Sequence, residues 1–294
     1  MKKGVFLVGI VVCLILGGCS FMDAKSNDEK TKKEVAVQDY VGQGFIFIDG
    51  DKTKEIVTEN KDTISQYAID YFTEKYKMDV KVNNVVPARN ASVVMLQSKQ
   101  EPKFNTSVIV SVDTHKKKVL DTVTSEKGNV EEDIQTALYA MAYEKEFANL
   151  DDFVKNMSEK YGFIGLTDEA VNKTRSSGYV TKYYYLNILT DFATDISQLY
   201  ISNPHMTKES LKQLFEKKEN LQNQIGIVIE LYTKDDTPAD KNKVNEIIES
   251  LKGAKGLPRG TYSVLVNGNL IDVASGHAIG DSVGTSIAVD EITK

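Results

Sequence analysis

Few side chains in this 294-residue sequence are of types that do chemistry at short range: two cysteines, three histidines, and a handful of glycine- and acid-rich turns. His115, His205 and His277 fall in a turn, at a helix break and in a glycine-rich tail. None has a second histidine four residues away, the spacing that places two imidazoles on one helix face for a metal. They read as surface residues. No Gly-x-Ser-x-Gly elbow locates a nucleophilic serine. Gly42-Gln43-Gly44 lacks the third glycine and the following helix that a phosphate cradle needs, so it reads as a bend. Asp49-Gly50-Asp51 lacks the alternating oxygen ligands and terminal glutamate of a calcium loop, and reads as a turn. Lys116-Lys117-Lys118 reads as a solvated hairpin tip. Tyr179, Tyr183, Tyr184 and Tyr185 are dense enough for a stacking or protein-binding patch, although core packing is the simpler reading. These motifs call for no catalytic residue, metal or cofactor.

The pattern around Cys19 is more specific. Lys2 and Lys3 precede an apolar run from Val5 to Leu16, and the small residues Gly17 and Gly18 follow. That is the order of a secretory signal. Its apolar core of 12 residues is short of the roughly 20 needed to cross a bilayer as a helix. Leu16-Gly17-Gly18-Cys19 resembles the lipobox of bacterial lipoproteins. The resemblance implies that the Cys19 thiol receives a diacylglyceryl group and that cleavage occurs just before it, with Leu16, Gly17 and Gly18 recognised by the peptidase. Glycine at position 17 is less usual there than alanine or serine. Two acyl chains on one glycerol make a lasting anchor where one chain binds only marginally. Cys13 would leave with the signal, so the lipidated chain would have no thiol for a disulfide, a metal or catalysis.

Removing residues 1–18 takes two lysines and leaves 34 basic against 42 acidic side chains, a formal net charge of −8. Nucleic-acid affinity comes from a basic surface, so nucleic acid is not an expected partner. The expected membrane contact is through acyl chains rather than charge. Residues 19–39 carry many charges and little apolar content, and read as a lipidated tether.

Beyond the tether the expected fold class is α+β. Residues 40–128 read as one module: a Phe45–Ile48 strand, an amphipathic helix over 61–77, then strands at Val80–Val86, Ser92–Gln97, Thr106–Val112 and Lys118–Thr124. One helix followed by four strands suggests an antiparallel sheet packed on that helix, as in a cystatin-like roll. Residues 129–178 read as helical: a stripe over 130–147 opened by Asn129 and Glu132, a second helix to Tyr161-Gly162, and a third capped by Thr167. Arg175-Ser176-Ser177-Gly178 reads as a boundary. Residues 179–294 read as a smaller α+β module. It would hold a helix over Tyr184–Ile201, one capped by Thr207, a strand over Ile225–Tyr232 and a helix opened by Thr237-Pro238. A hairpin would follow, turning at Asn267-Gly268, and then a loosely ordered tail.

Three blocks add a resemblance: Asp39–Gly44, Leu138–Met141 with Glu144–Asp152, and Gly256–Ser263. With the Cys19 motif, they resemble a domain-of-unknown-function family of lipoproteins from staphylococcal-type Gram-positive bacteria. The resemblance implies a protein anchored on the extracytoplasmic face of the cell membrane, with no transferable catalytic residue. It leaves two roles open. One is non-enzymatic binding to an envelope partner; the other is small-molecule binding for uptake or sensing. Solute receptors usually repeat βα units around two lobes, and that alternation is absent, so no deep interlobe cleft is expected.

Overall fold

Ile64, Ala68, Phe72 and Tyr76 recur every fourth residue between Lys61 and Tyr76, and all four are buried in one helix face. This helix, α2, follows a short α1 (Lys54–Glu59) and ends on Lys77 in the left-handed region. The computed structural model describes residues 33–188, 194–285 and 292–294. Residues Lys32–Lys294 form one compact unit.

Against α2 lies an antiparallel meander of β2 (Val80–Ala88), β3 (Ala91–Ser98), β4 (Asn105–Asp113) and β5 (Lys118–Thr124), in that order. The four strands match the expected segments. Along β4, Thr106, Val108, Val110 and Val112 are buried while Ser107, Ile109 and Ser111 are less so, the period of two expected of a strand. The meander does not belong to α2 alone. Helix α3 (Asn129–Ala142) packs on β4, and α5 (Asp168–Thr174) packs on β2 and β3.

The stripe over 130–147 is two helices. α3 stops before Tyr143, and α4 (Glu144–Tyr161) continues beyond it. Gly128, in the left-handed region, caps α3 in place of Asn129; the Glu132 amide donates to its carbonyl. Thr167 caps α5 as its position predicts, accepting from the Ala170 amide.

A second sheet centres on β8 (Ile225–Thr233), with Ile225, Ile227, Ile229 and Leu231 fully buried. β8 runs parallel to β9 (Thr261–Asn267), reached through α8 (Lys241–Gly253). It runs antiparallel to β6 (Phe163–Ile164) and β7 (Tyr184–Ile188). β9 is bordered in turn by β11 (Val283–Gly284) and β12 (Ile292–Thr293). These pairs order part of the tail that composition alone leaves loose.

Several other expectations change. Tyr184–Ile201 is not one helix but β7 and, beyond residues outside the description, α6 (Asp195–Ser202). Tyr184 and Leu186 are buried while Tyr185 and Asn187 are less so, a strand period that a run of aromatics conceals. Phe45–Ile48 forms no strand, because its amides bond to the Ala274 and Pro87 carbonyls in a turn. The Asn267-Gly268 hairpin does not form. β10 (Leu270–Asp272) leaves β9 and pairs with β1 (Glu34–Ala36), so residues 34–39 are built into the body rather than the tether. α7 (Lys208–Glu216) is capped by Thr207 as expected, but α8 is capped by Asp240.

One main core takes Phe72 and Val108 from the first expected module, Ile134 and Leu138 from the second, and Ile227 and Val264 from the third. A smaller cluster of Val37, Tyr40, Leu166, Val171, Tyr232 and Ile271 joins the N-terminal strand to α5 and β8.

Candidate functional site

A cleft of about 370 Å³ opens where the start of β4, the α3–α4 corner and the Gly178–Thr181 segment converge. Two backbone hydrogen bonds between Asn105 and Gly178, 2.8 and 2.9 Å, fix its floor. Gly178 is required there. Its φ is +67°, and a Cβ would sit 2.1 Å from the Thr136 Oγ1. Thr136 Oγ1 in turn donates to the Asp133 carbonyl and accepts from the Tyr179 amide. Phe147 and Tyr179 line the cleft with their rings 5.3 Å apart, and both rings pack against Tyr184.

Asp151 is a carboxylate of the cleft lining that is held by a buried partner. The buried Tyr184 hydroxyl donates to its carboxylate at 2.8 Å. Loss of solvent around that carboxylate raises its pKa, opposed by the Tyr184 hydrogen bond and assisted by repulsion from Asp152. Lys208 reaches Glu144 at 2.6 Å, and Glu101 and Lys103 complete the polar lining. Carboxylates beside aromatic rings suit a small ligand bearing an ammonium or hydroxyl group. The volume lies near the lower end of the range of about 300–1,000 Å³ usual for such ligands.

Below this floor Asp133 is buried, with Oδ2 unpartnered. Desolvation raises its pKa well above the ordinary aspartate value; the neighbouring Thr106 hydroxyl opposes the shift and Glu132 and Glu131 add to it.

A second cavity, about 310 Å³, is lined by Phe45–Ile48, Thr174–Ser176 and Ser275–His277. Arg175 forms its charged wall, 3.3 Å from Glu230, and both side chains are largely buried. Asn267 also donates to Glu230. Desolvation lowers the His277 pKa, and the nearby Arg175 charge lowers it further, which favours a neutral imidazole at pH 7.

The other residues that the sequence singles out stay apart. His115, Lys116 and Lys117 occupy an exposed turn whose amides bond to Asp113. His205 is exposed beyond α6. Gly42 and Gly44 are bends at φ +81° and +75°, with Gly42 against Lys173. Asp49 turns the chain into a single 3-10 turn over Gly50–Lys52. Among the described residues, no group of three or more His, Cys, Asp or Glu side chains is placed to hold a metal ion. Leu16, Gly17, Gly18 and Cys19 lie outside the described residues. The tyrosines divide: Tyr184 is buried, whereas Tyr179, Tyr183 and Tyr185 are partly exposed.

Sequence reasoning missed Asp151 as a site residue, although it lies in the Glu144–Asp152 block. It also placed Arg175 in a boundary. The one available signal was that Arg175 is among only three arginines, with Arg89 and Arg259.

Two of the blocks that carry the family resemblance interlock, and the third is tied to the cap of α5. Tyr139 donates to the Arg259 carbonyl at 2.6 Å, Asn149 to the Gly256 carbonyl at 2.7 Å, and Thr167 to the Tyr40 carbonyl at 2.6 Å. A family model described as "Protein of unknown function (DUF1672)" matches residues 27–294. The chain belongs to the DUF1672 family. Its fold is similar to the crystal structure of a DUF1672 family protein from Staphylococcus aureus subsp. aureus Mu50, with a TM-score of 0.74 and 21% identity. The likeness covers 90% of this chain and 99% of that one. Among functionally curated proteins there is no match. In this DUF1672 chain the three blocks are therefore staples of the fold: each joins distant segments through a side chain and a backbone carbonyl.

Proposed function

We propose that this DUF1672 protein is a lipoprotein of the extracytoplasmic face of the cell membrane, anchored through Cys19 and acting at the envelope by binding rather than catalysis. The observation that carries the reading is Leu16-Gly17-Gly18-Cys19 behind a basic and apolar leader. The described residues include no helix long and apolar enough to cross a membrane, which is compatible with a lipid anchor. The test is metabolic labelling with a tagged fatty acid. Label should follow the wild-type chain and vanish in Cys19→Ser, which should also keep its leader; label retained by Cys19→Ser refutes the anchor.

The cleft favours a second reading, a lipoprotein that binds a small molecule for uptake or sensing. Asp151, held by Tyr184 beside aromatic rings, supports a ligand with an ammonium or hydroxyl group. Native mass spectrometry of protein taken from its own membranes should then reveal a bound small molecule that Asp151→Asn releases. An empty cleft in both proteins would leave envelope-partner binding as the account.

A further inference from the structure

Phe47 and Ile48 are exposed side by side at the tip of a turn, Ile48 at 77% of its full accessibility. The turn is firmly held. The Ile46 and Phe47 amides donate to the Ala274 and Pro87 carbonyls, the Gly50 amide closes back on the Phe47 carbonyl, and the Phe45 and Phe47 rings meet edge to face at 5.3 Å. Gly50 packs so closely that a Cβ would lie 2.4 Å from the Pro87 oxygen. A pinned turn that presents two large apolar side chains to water has a surface to fill.

The same end of the body receives the N-terminal chain. Val273, next to Ala274, donates to the Lys33 carbonyl at 3.0 Å, and β1 begins at Glu34 beside Asp272. Lys33 therefore enters next to the strand end that holds the Phe45–Ile48 turn. Ile279, another exposed large hydrophobic, lies two residues beyond His277 in the wall of the adjoining cavity. The remaining one among the described residues, Leu199, is on α6.

We propose that the Phe47–Ile48 tip inserts into the lipid surface, seating the body on the membrane in one orientation. The inference rests on the anchored reading. Whatever the conformation of residues 20–32, so short a segment holds Lys33 within about 50 Å of an acylated Cys19. A contact too weak to act alone becomes intramolecular under that constraint. Lipid suits the tip better than a protein partner does. Two side chains fall far below the roughly 1,000 Å² that a specific protein interface buries, whereas each apolar side chain entering a bilayer contributes alone. The charge beside it does not oppose it: Lys52 and Arg89 pair with Asp49, and Lys117 pairs with Glu55 of α1, in a chain whose formal net charge without residues 1–18 is −8.

The sequence contains no tryptophan, so one substitution reports a single position. Full-length Ile48→Trp and Leu199→Trp, each expressed for lipidation, are reconstituted into phosphatidylcholine–phosphatidylglycerol vesicles with and without brominated acyl chains. Trp emission from the Ile48→Trp protein should shift to the blue on reconstitution and lose intensity to the bromines, while the Leu199→Trp protein shows neither change. Equal, unquenched emission from both proteins overturns the docking. Intact mass on the same samples separates the two layers. A diacylglyceryl mass with unquenched emission refutes docking alone, and absence of that mass refutes the anchor and the docking that depends on it.

Discussion

Asp133→Asn should stabilise the protein at neutral pH, and the gain should disappear in acid. Asp133 is 6% exposed, its Oδ2 has no partner, and burial holds its pKa well above the ordinary aspartate value. The folded chain therefore keeps the proton while the unfolded chain releases it above about pH 4. From there up to the folded pKa, every rise in pH favours the unfolded state, with a slope of at most about 1.4 kcal/mol per pH unit. Asparagine has nearly the same shape and cannot ionise. It is therefore spared this linkage, and three pH units above pH 4 at that slope set the expected gain at pH 7 at no more than about 4 kcal/mol. For a body of this size it corresponds to about 2–4 °C in Tm per kcal/mol. Urea and thermal denaturation of both proteins, followed by circular dichroism from pH 4 to 8, isolates residue 133 as the difference between them. The reasoning fails if the variant is less stable at pH 7, or if the difference does not change with pH. Either result would mean an ionised and paired carboxylate.

The Arg175–Glu230 pair predicts a large loss on breaking it: Arg175→Ala should cost about 3–5 kcal/mol in denaturation, because the largely buried Glu230 loses its counter-charge and keeps only the Asn267 amide. Replacing both residues with methionine should cost much less than the two single losses combined, and simple additivity would contradict the pairing. Tyr139→Phe removes the hydroxyl that bridges to the Arg259 carbonyl and should cost about 0.5–1.5 kcal/mol in urea unfolding. Gly178→Ala should destabilise far more than an ordinary surface substitution, since its Cβ meets Thr136 at a positive φ; an unchanged Tm would show that the cleft floor can shift.

The elements legible in the sequence are those whose period survives in the side chains. Ile64, Ala68, Phe72 and Tyr76 announce α2, and the alternation along β4 announces the meander, because each buries one face on a shared core. Tyr184–Ile188 is harder to read: consecutive aromatics are compatible with a helix, and only the burial of Tyr184 and Leu186 shows the strand. Asn267-Gly268 suits a hairpin locally, but β9 is occupied by β8 on one edge and by β11 and β12 on the other, so β10 pairs with β1. The charged sites were hidden for a different reason. Arg175 sits in a polar run of the kind that marks linkers, and Glu230 is 55 residues away within an apolar strand. Asp133 comes directly after Glu131 and Glu132, the acidic first turn of α3, where a further carboxylate is ordinary until the chain folds over it. Asp151 gains its role only when Tyr184 reaches it across 33 residues.

The lipid anchor is the centre of the functional account, and the mature N-terminus tests it most directly. Mass spectrometry of the protein from its native membrane fraction should find a chain beginning at Cys19, carrying a diacylglyceryl group and lacking residues 1–18. A mature chain that retains Met1, or that begins elsewhere with Cys19 unmodified, would contradict it.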